Sequence, residues 1–213
     1  MTTETLKIKR LKGEIVRVCR RLDFLGFVPA TDGNVSARSG RGWLLITPSM
    51  LPKGSLSTRQ ILEVDLEGRV LSGQGRPSSE IKMHLEVYRH RPEVGAVIHA
   101  HPPAATAFAA CRLPLDIPIL PEAVVMLGPV PLAKYATPST EEVPRSIAHL
   151  LRKYNAILLA NHGVLTYGKT LPEALERMER TEHLARVILI ARLLGGAKSL
   201  KRAQRAALEK LFS

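Results

Sequence analysis

The apolar runs of this chain are short and closely punctuated. Trp43-Leu-Leu-Ile-Thr47 stops at Pro48, Gly95-Ala-Val-Ile-His-Ala-His101 stops at Pro102-Pro103, and Ala156-Ile-Leu-Leu-Ala160 ends just before Asn161-His162-Gly163. Runs of this length bounded by proline and glycine read as strands rather than helices. Asn34–Arg38 joins Trp43–Thr47 through a glycine-rich turn, Ser39 to Gly42. Ile61–Leu66 and Arg69–Ser72 form a second hairpin turned at Glu67-Gly68, and Gly163–Tyr167 is a further strand. Helical period appears between them. Leu11, Ile15, Val18, Leu22 and Leu25 recur on one face until Gly26. Pro77-Ser-Ser-Glu80 opens a helix running to about Arg91, with Ser78 or Ser79 as its N-cap and Glu80 in its first turn. Ala104–Cys111, Glu141–Lys153 and Leu171–Leu194 are helical, and a short basic helix follows Gly195-Gly196. A proline-punctuated stretch fills the chain to about Lys134. Helices mixed with many short strands, without a repeat or a long linker, imply one layered α/β or α+β domain over residues 1–213. A chain of 213 residues with 45% hydrophobic content can bury one substantial core.

Several classes of function are disfavoured. No apolar run has membrane-spanning length, and the charged amphipathic start lacks the apolar centre of a signal peptide. A soluble, cytoplasmic protein with no membrane partner is expected. Cys19 and Cys111 are isolated and form neither a disulfide framework nor a C-x-x-C knuckle. The net charge of +12 invites a nucleic-acid reading. From Arg145 onward, however, 13 Lys/Arg stand against five Asp/Glu, on helices where Glu176 with Arg180 and Glu182 with Arg186 have the i,i+4 spacing of a solvated face. Aromatics are only 4%, poor for base stacking. The charge reads as a surface that attracts anionic metabolites, with no nucleic-acid partner.

The histidines carry the chemistry. His99 and His101 stand at i and i+2 of a strand, so both imidazoles project from one face at its end. His162 lies between an apolar strand and a glycine, where a backbone can approach a ligand closely. Three neutral nitrogen ligands leave a fourth position open, as in a catalytic zinc site. Glu80 near a helix start could fill that position or take a proton from a bound substrate. His84, one turn after Glu80 on the same face, could support the site from behind. His90, His149 and His183 read as surface groups. Thr31-Asp-Gly33-Asn34, Ser78-Ser79 and Ser49 look built for an anion, from turn N–H groups, hydroxyls and a helix start.

Taken together, Gly33-Asn34-Val-Ser-Ala-Arg38, Leu45-Ile-Thr47-Pro48-Ser49, Pro77-Ser-Ser-Glu80, His99-Ala-His101, Tyr135-Ala-Thr137 and Asn161-His162-Gly163 resemble the class II aldolase/adducin family, particularly its fuculose-phosphate aldolase-like members. The resemblance implies a three-layer α/β/α sandwich on a mainly antiparallel central sheet, and a homotetramer with active sites at subunit interfaces. It implies Zn2+ on His99, His101 and His162, with Glu80 as resting ligand and acid/base. Manganese or cobalt is not distinguished from zinc. Gly33, Asn34, Ser49, Ser78 and Ser79 match positions that hold the substrate phosphate. The implied reaction cleaves a phosphorylated ketose to dihydroxyacetone phosphate and an aldehyde through a metal-stabilised enediolate. Ribulose-phosphate 4-epimerase, methylthioribulose-phosphate dehydratase, sugar-acid phosphate decarboxylase and a non-catalytic adducin-like domain are the alternatives. The chain departs from the pattern in three places. Met50 stands where the aldolases carry glycine and is expected to narrow or reshape the phosphate pocket. Glu122 falls near the position of a proton-donating tyrosine, and the tail ending Lys210-Leu-Phe-Ser213 holds no tyrosine.

Overall fold

The chain is described by a computed structural model covering residues 3–40 and 42–212. Arg41, in the expected first hairpin turn, lies outside the described residues. The helix read from the period of Leu11 to Leu25 is α1 (Thr3–Phe24), and it buries Ile15, Val18, Cys19 and Leu22. The two hairpins form β1 (Asn34–Arg38) with β2 (Trp43–Ile46), and β3 (Leu62–Asp65) with β4 (Val70–Ser72). Then follow α2 (Ile81–His90), β5 (Ala96–Ala100) and α3 (Pro103–Ala110), α4 (Pro121–Met126), β6 (Leu132–Ala133) and α5 (Glu142–Leu151), β7 (Ala156–Leu159) and β8 (Gly163–Gly168), and finally α6 (Leu171–Leu193) and α7 (Arg202–Phe212).

The strands form one sheet in the order β4-β3-β2-β1-β5-β8-β7-β6. It is mixed. The β6–β7 edge pairing is parallel and the other six described pairings are antiparallel. A parallel pair cannot be closed by a tight turn, and α5 is the crossover that connects β6 to β7. Alternation along the strands sorts side chains to two faces. Val35, Ala37, Ile98, Ala100 and Val164 pack with α1, α3 and α6. Leu44, Ile46, Val97, Leu165 and Tyr167 pack with α2 and α5. Helices therefore cover both faces. Each fully buried leucine or isoleucine contributes on the order of 1.5–3 kcal/mol, so the two apolar layers hold the central strands rigidly in register.

Three local expectations need correction. The second helix starts at Ile81, so Glu80 is its N-cap rather than a first-turn residue, and the Ser78 hydroxyl accepts from the Glu80 N–H at 3.3 Å just ahead of the helix. The proline-punctuated stretch contains α4, which starts on Pro121 and is too short to show a period. The Glu176–Arg180 and Glu182–Arg186 ion pairs both form at 2.6 Å. Glu182, however, is buried and accepts hydrogen bonds from the N–H groups of Ala104 (3.2 Å) and Ala105 (2.9 Å), so it caps α3 instead of joining a solvated face. No described helix is long and apolar enough to cross a membrane.

Candidate metal centre

Alternation sends Val97 and His99 of β5 to the α2 side of the sheet, and His101 continues that face beyond the strand end. The chain there is still anchored, because the His101 N–H donates to Phe27 O at 2.8 Å. His162 arrives from the turn between β7 and β8. Asn161 takes φ +56° there, a left-handed conformation that asparagine tolerates better than most residues. Gly163 then lets β8 run unusually close to the histidine pair. A Cβ on Gly163 would sit 2.5 Å from His101 Cδ2, 2.6 Å from Ala100 O and 3.3 Å from His99 Cε1.

The result is a cluster. One ring nitrogen from each of His99, His101 and His162 lies within 4.8 Å of the others, and the ring centroids are 4.6–5.1 Å apart. Their tautomers are constrained by what lies behind them. His99 Nδ1 is 3.0 Å from Val164 O, which only accepts, so Nδ1 carries the proton and Nε2 presents a lone pair to the cluster. His101 Nδ1 faces Asp32 Oδ2 at 3.3 Å, which likewise directs its Nε2 inward, 3.0 Å from His99 Nε2. Two lone pairs at that distance repel unless a cation or proton lies between them. Burial, reinforced by His162 and His101, holds His99 well below the usual imidazole range. His162 is also lowered, chiefly by burial and against the pull of Glu80.

Glu80 faces this cluster from the N-cap of α2. Its Oε2 is 3.3 Å from His99 Nε2 and accepts from Asn34 Nδ2 at 2.8 Å. Its Oε1 is 3.2 Å from His162 Nε2, is buried, and has no hydrogen-bond partner. A buried carboxylate oxygen left unpaired beside three imidazole nitrogens is expensive without a cation. The donor set, three nitrogens and a carboxylate, is the one a divalent metal such as zinc takes. The residues therefore fit the ion that the sequence implied.

A cavity of about 210 Å³ opens beside the cluster. Glu80, His101 and His162 are part of its lining. The anion residues expected from the sequence, Gly33, Asn34, Ser49, Ser78 and Ser79, line it too, together with Thr31 and Asp32. Their placement has local causes. Ser49 N–H donates to Arg76 O (2.9 Å) and Ser78 N–H to Thr47 O (3.2 Å), which brings the Ser49 and Ser78 segments side by side. Asn34 stands opposite His99 in register, and its side chain is committed to Glu80 and His84. Met50 keeps a left-handed φ of +58°, and its side chain is 75% exposed on the cavity rim. The backbone thus holds the conformation glycine would take, and the cost falls on strain more than on pocket volume.

Two polar cavity residues were not anticipated. Ser139, at φ +66°, comes from the segment after Tyr135-Ala-Thr137. Lys53 is only 2% exposed, and its Nζ donates to Thr31 O and Leu51 O, both at 2.8 Å. No carboxylate pairs with it within 4.0 Å among the described ion pairs, and burial lowers its pKa. A lone lysine in Pro52-Lys53-Gly54 carries no periodic signal, so only the fold reveals it. Glu122 is exposed on α4 and does not line the cavity. His149 and His183 are exposed as expected. His90 is partly buried, with Nδ1 3.1 Å from Glu86 O.

Residues 13–189 match the family described as Class II Aldolase and Adducin N-terminal domain. The chain is 34% identical over 187 residues to the 3-oxo-tetronate 4-phosphate decarboxylase of Pectobacterium atrosepticum, covering 85% of each chain. It is 36% identical over 185 residues to the methylthioribulose-1-phosphate dehydratase of Methylococcus capsulatus, covering 80% of this chain and 89% of that one. Among solved structures, an L-fuculose 1-phosphate aldolase superposes with a TM-score of 0.87 at 31% identity, covering 95% of this chain and 96% of the other. On the match of most of its length, together with these relatives, the chain belongs to the class II aldolase and adducin family.

Proposed function

We propose that the protein is a divalent-metal-dependent lyase that cleaves a small phosphorylated ketose, of the fuculose 1-phosphate kind, to dihydroxyacetone phosphate and an aldehyde. The observation that carries this reading is the unpartnered, buried Glu80 Oε1 set among three inward-facing imidazoles. His99, His101 and His162 hold the ion, zinc by preference, and Glu80 is its resting neighbour. When bound, the ion supplies Lewis acidity that stabilises negative charge developing on the oxygens of a ketose.

The chain's own groups divide the remaining work. Glu80 is the acid/base, and Oε1 is the atom that takes and returns the proton, because Oε2 is tied to Asn34. Gly33, Asn34, Ser49, Ser78 and Ser79 bind the phosphate, and the buried Lys53 adds positive charge to that end of the cavity. The protein assembles as a homotetramer on this reading; exposed Leu193 and Leu194 at the end of α6 and Leu211 and Phe212 on α7 support association of copies, though not their number.

A second reading, loss of CO2 from a 3-oxo sugar-acid phosphate, is favoured by a specific observation. Glu80 is the cavity's one carboxylate beside the histidine cluster other than Asp32, and Glu122 lies away from it. Decarboxylation needs charge stabilisation and a single proton donor, whereas aldol cleavage also needs the aldehyde oxygen handled. The test incubates metal-loaded protein with a panel of ketose 1-phosphates and with 3-oxo-tetronate 4-phosphate. Dihydroxyacetone phosphate release, abolished by Glu80→Gln and His99→Ala, establishes the aldolase. CO2 release from the 3-oxo acid alone replaces it with the decarboxylase.

A further inference from the structure

Behind Glu80 runs a line of buried polar side chains, of which only Glu80 and Asn34 line the cavity. Glu80, His84 and Tyr88 recur at i, i+4 and i+8 along one face of α2. Asn34 and Ser36 recur at i and i+2 on the face of β1 that meets it. The contacts are Tyr88 Oη to Ser36 Oγ at 2.9 Å, Ser36 Oγ to His84 Nδ1 at 2.7 Å, His84 Nε2 to Asn34 Oδ1 at 2.5 Å, and Asn34 Nδ2 to Glu80 Oε2 at 2.8 Å. His84 and Ser36 are wholly buried, and Asn34 and Tyr88 nearly so.

The end point settles every proton in this line. A carboxylate only accepts, so the Asn34 amide must turn Nδ2 toward Glu80 and Oδ1 toward His84. Oδ1 only accepts, so His84 carries its proton on Nε2, and its bare Nδ1 accepts from the Ser36 hydroxyl. That uses the one Ser36 proton, so Tyr88 donates to Ser36. All four donors point the same way, toward Glu80. Aligned donors polarise one another, and breaking one leaves buried groups unpaired. Burial also keeps His84 neutral, with its pKa lowered to about 4, as a single-tautomer link requires. The line cannot conduct protons, because the Asn34 amide is neither acid nor base near neutrality. Its effect is orientation.

We infer that His84 is a positioning residue that fixes the Asn34 amide and thereby holds Glu80 with Oε2 tied and Oε1 free toward the histidine cluster. The inference rests on Glu80 being the acid/base of the site. In its absence the amide can rotate, and Glu80 loses its only side-chain donor among the described hydrogen bonds.

The test has an arm that needs no turnover. Long-range proton–nitrogen correlation on histidine-labelled full-length protein should show His84 protonated at Nε2 and bare at Nδ1 throughout pH 6–8. The opposite tautomer, or a doubly protonated ring, overturns the assignment. In the kinetic arm, His84→Met should lower kcat about ten- to thirtyfold, the equivalent of one misdirected buried hydrogen bond, with bound metal nearly unchanged. His84→Gln can still present an N–H to Asn34 Oδ1 and should restore most of that loss. Equal losses in both variants, or none in a folded His84→Met, overturn the positioning role. If His84→Met does not fold, the Gln variant and the tautomer measurement still decide. If wild type turns over neither substrate class, the functional reading fails while the tautomer result stands on its own.

Discussion

Gly163 offers the sharpest test of how the histidine cluster is built. Its φ is not in the left-handed region, so alanine there has no backbone objection and the whole effect is steric. The added methyl would sit 2.6 Å from Ala100 O, and reaching an ordinary 3.4 Å contact requires about 0.8 Å of separation between β8 and β5. Both strands are central in the sheet and buried on both faces, so neither can yield freely. The His101 ring, 2.5 Å from the same methyl, must turn away from the cluster. Overpacking of this kind costs about 1–3 kcal/mol, or roughly 2–12 °C in Tm for a chain of this size. Metal sites tolerate about 0.2 Å in ligand distance, so a displacement several times larger should weaken metal binding about ten- to a hundredfold. The assay is a cobalt titration of chelator-stripped Gly163→Ala, followed by absorbance, with calorimetric melting alongside. Gly13→Ala is the control, since its Cβ would meet only Arg17 Nη1 at 3.7 Å within α1 and should leave metal binding unchanged. A Gly163→Ala protein that melts lower yet binds cobalt like wild type would refute the claim that close β5–β8 approach sets the cluster.

Met50→Gly relieves a left-handed φ at a side chain that buries little, so stability should rise by about 1 kcal/mol, read as a higher Tm; a lower Tm would show that the methionine packs after all. Lys53→Met should weaken inhibition by inorganic phosphate about ten- to a hundredfold, the value of a charge-assisted contact, and cost about 1–3 kcal/mol of stability because the Thr31 and Leu51 carbonyls lose their donor; unchanged inhibition with that loss of stability would reduce Lys53 to a loop staple. His84 titrates near 6.5 when unfolded and about 4 when folded. The unfolded chain therefore binds the extra proton first, so this contribution is intact above pH 6.5 and is lost as pH falls toward 4. The loss should reach about 3 kcal/mol and be missing from the stability curve of His84→Gln, measured by urea unfolding across that range.

How far the site was legible depended on whether each feature is local. His99-Ala-His101 was readable because strand period alone puts i and i+2 on one face. The β1–β2 and β3–β4 hairpins were readable from their turns. That His162 meets the pair is a matter of sheet order, with β8 beside β5, and no periodicity contains it; its place between an apolar strand and a glycine suggested it, and the family resemblance supported it. The line through His84 was half visible. Each of its two spacings can be read from the chain, but their pairing requires β1 to lie against α2. Lys53 was not readable at all, because a buried lysine and an exposed one look alike in a loop. The short α4 failed for the opposite reason, since proline at its first position hides a turn of helix inside what reads as a break.

The same contrast bears on specificity. The histidine cluster is held by the sheet itself, through the His99–Val164 and His101–Phe27 hydrogen bonds and the close packing at Gly163. Much of the remaining cavity lining comes from segments outside the strands, Thr31–Gly33, Ser49–Lys53, Ser78–Ser79 and Ser139, and Lys53 ties the first two together through the Thr31 and Leu51 carbonyls. Related proteins named as a decarboxylase, a dehydratase and an aldolase share this fold, which is what results when rigid elements carry the reactive centre and loops choose the substrate. On the proposed reading, the departure at Met50 and the buried Lys53 both lie on the loop side. Exchanging residues 49–53 for the corresponding loop of a relative should therefore move substrate preference and phosphate affinity while cobalt affinity stays within about twofold. Loss of cobalt binding in that exchange would show that the two halves of the site are not separable in this way.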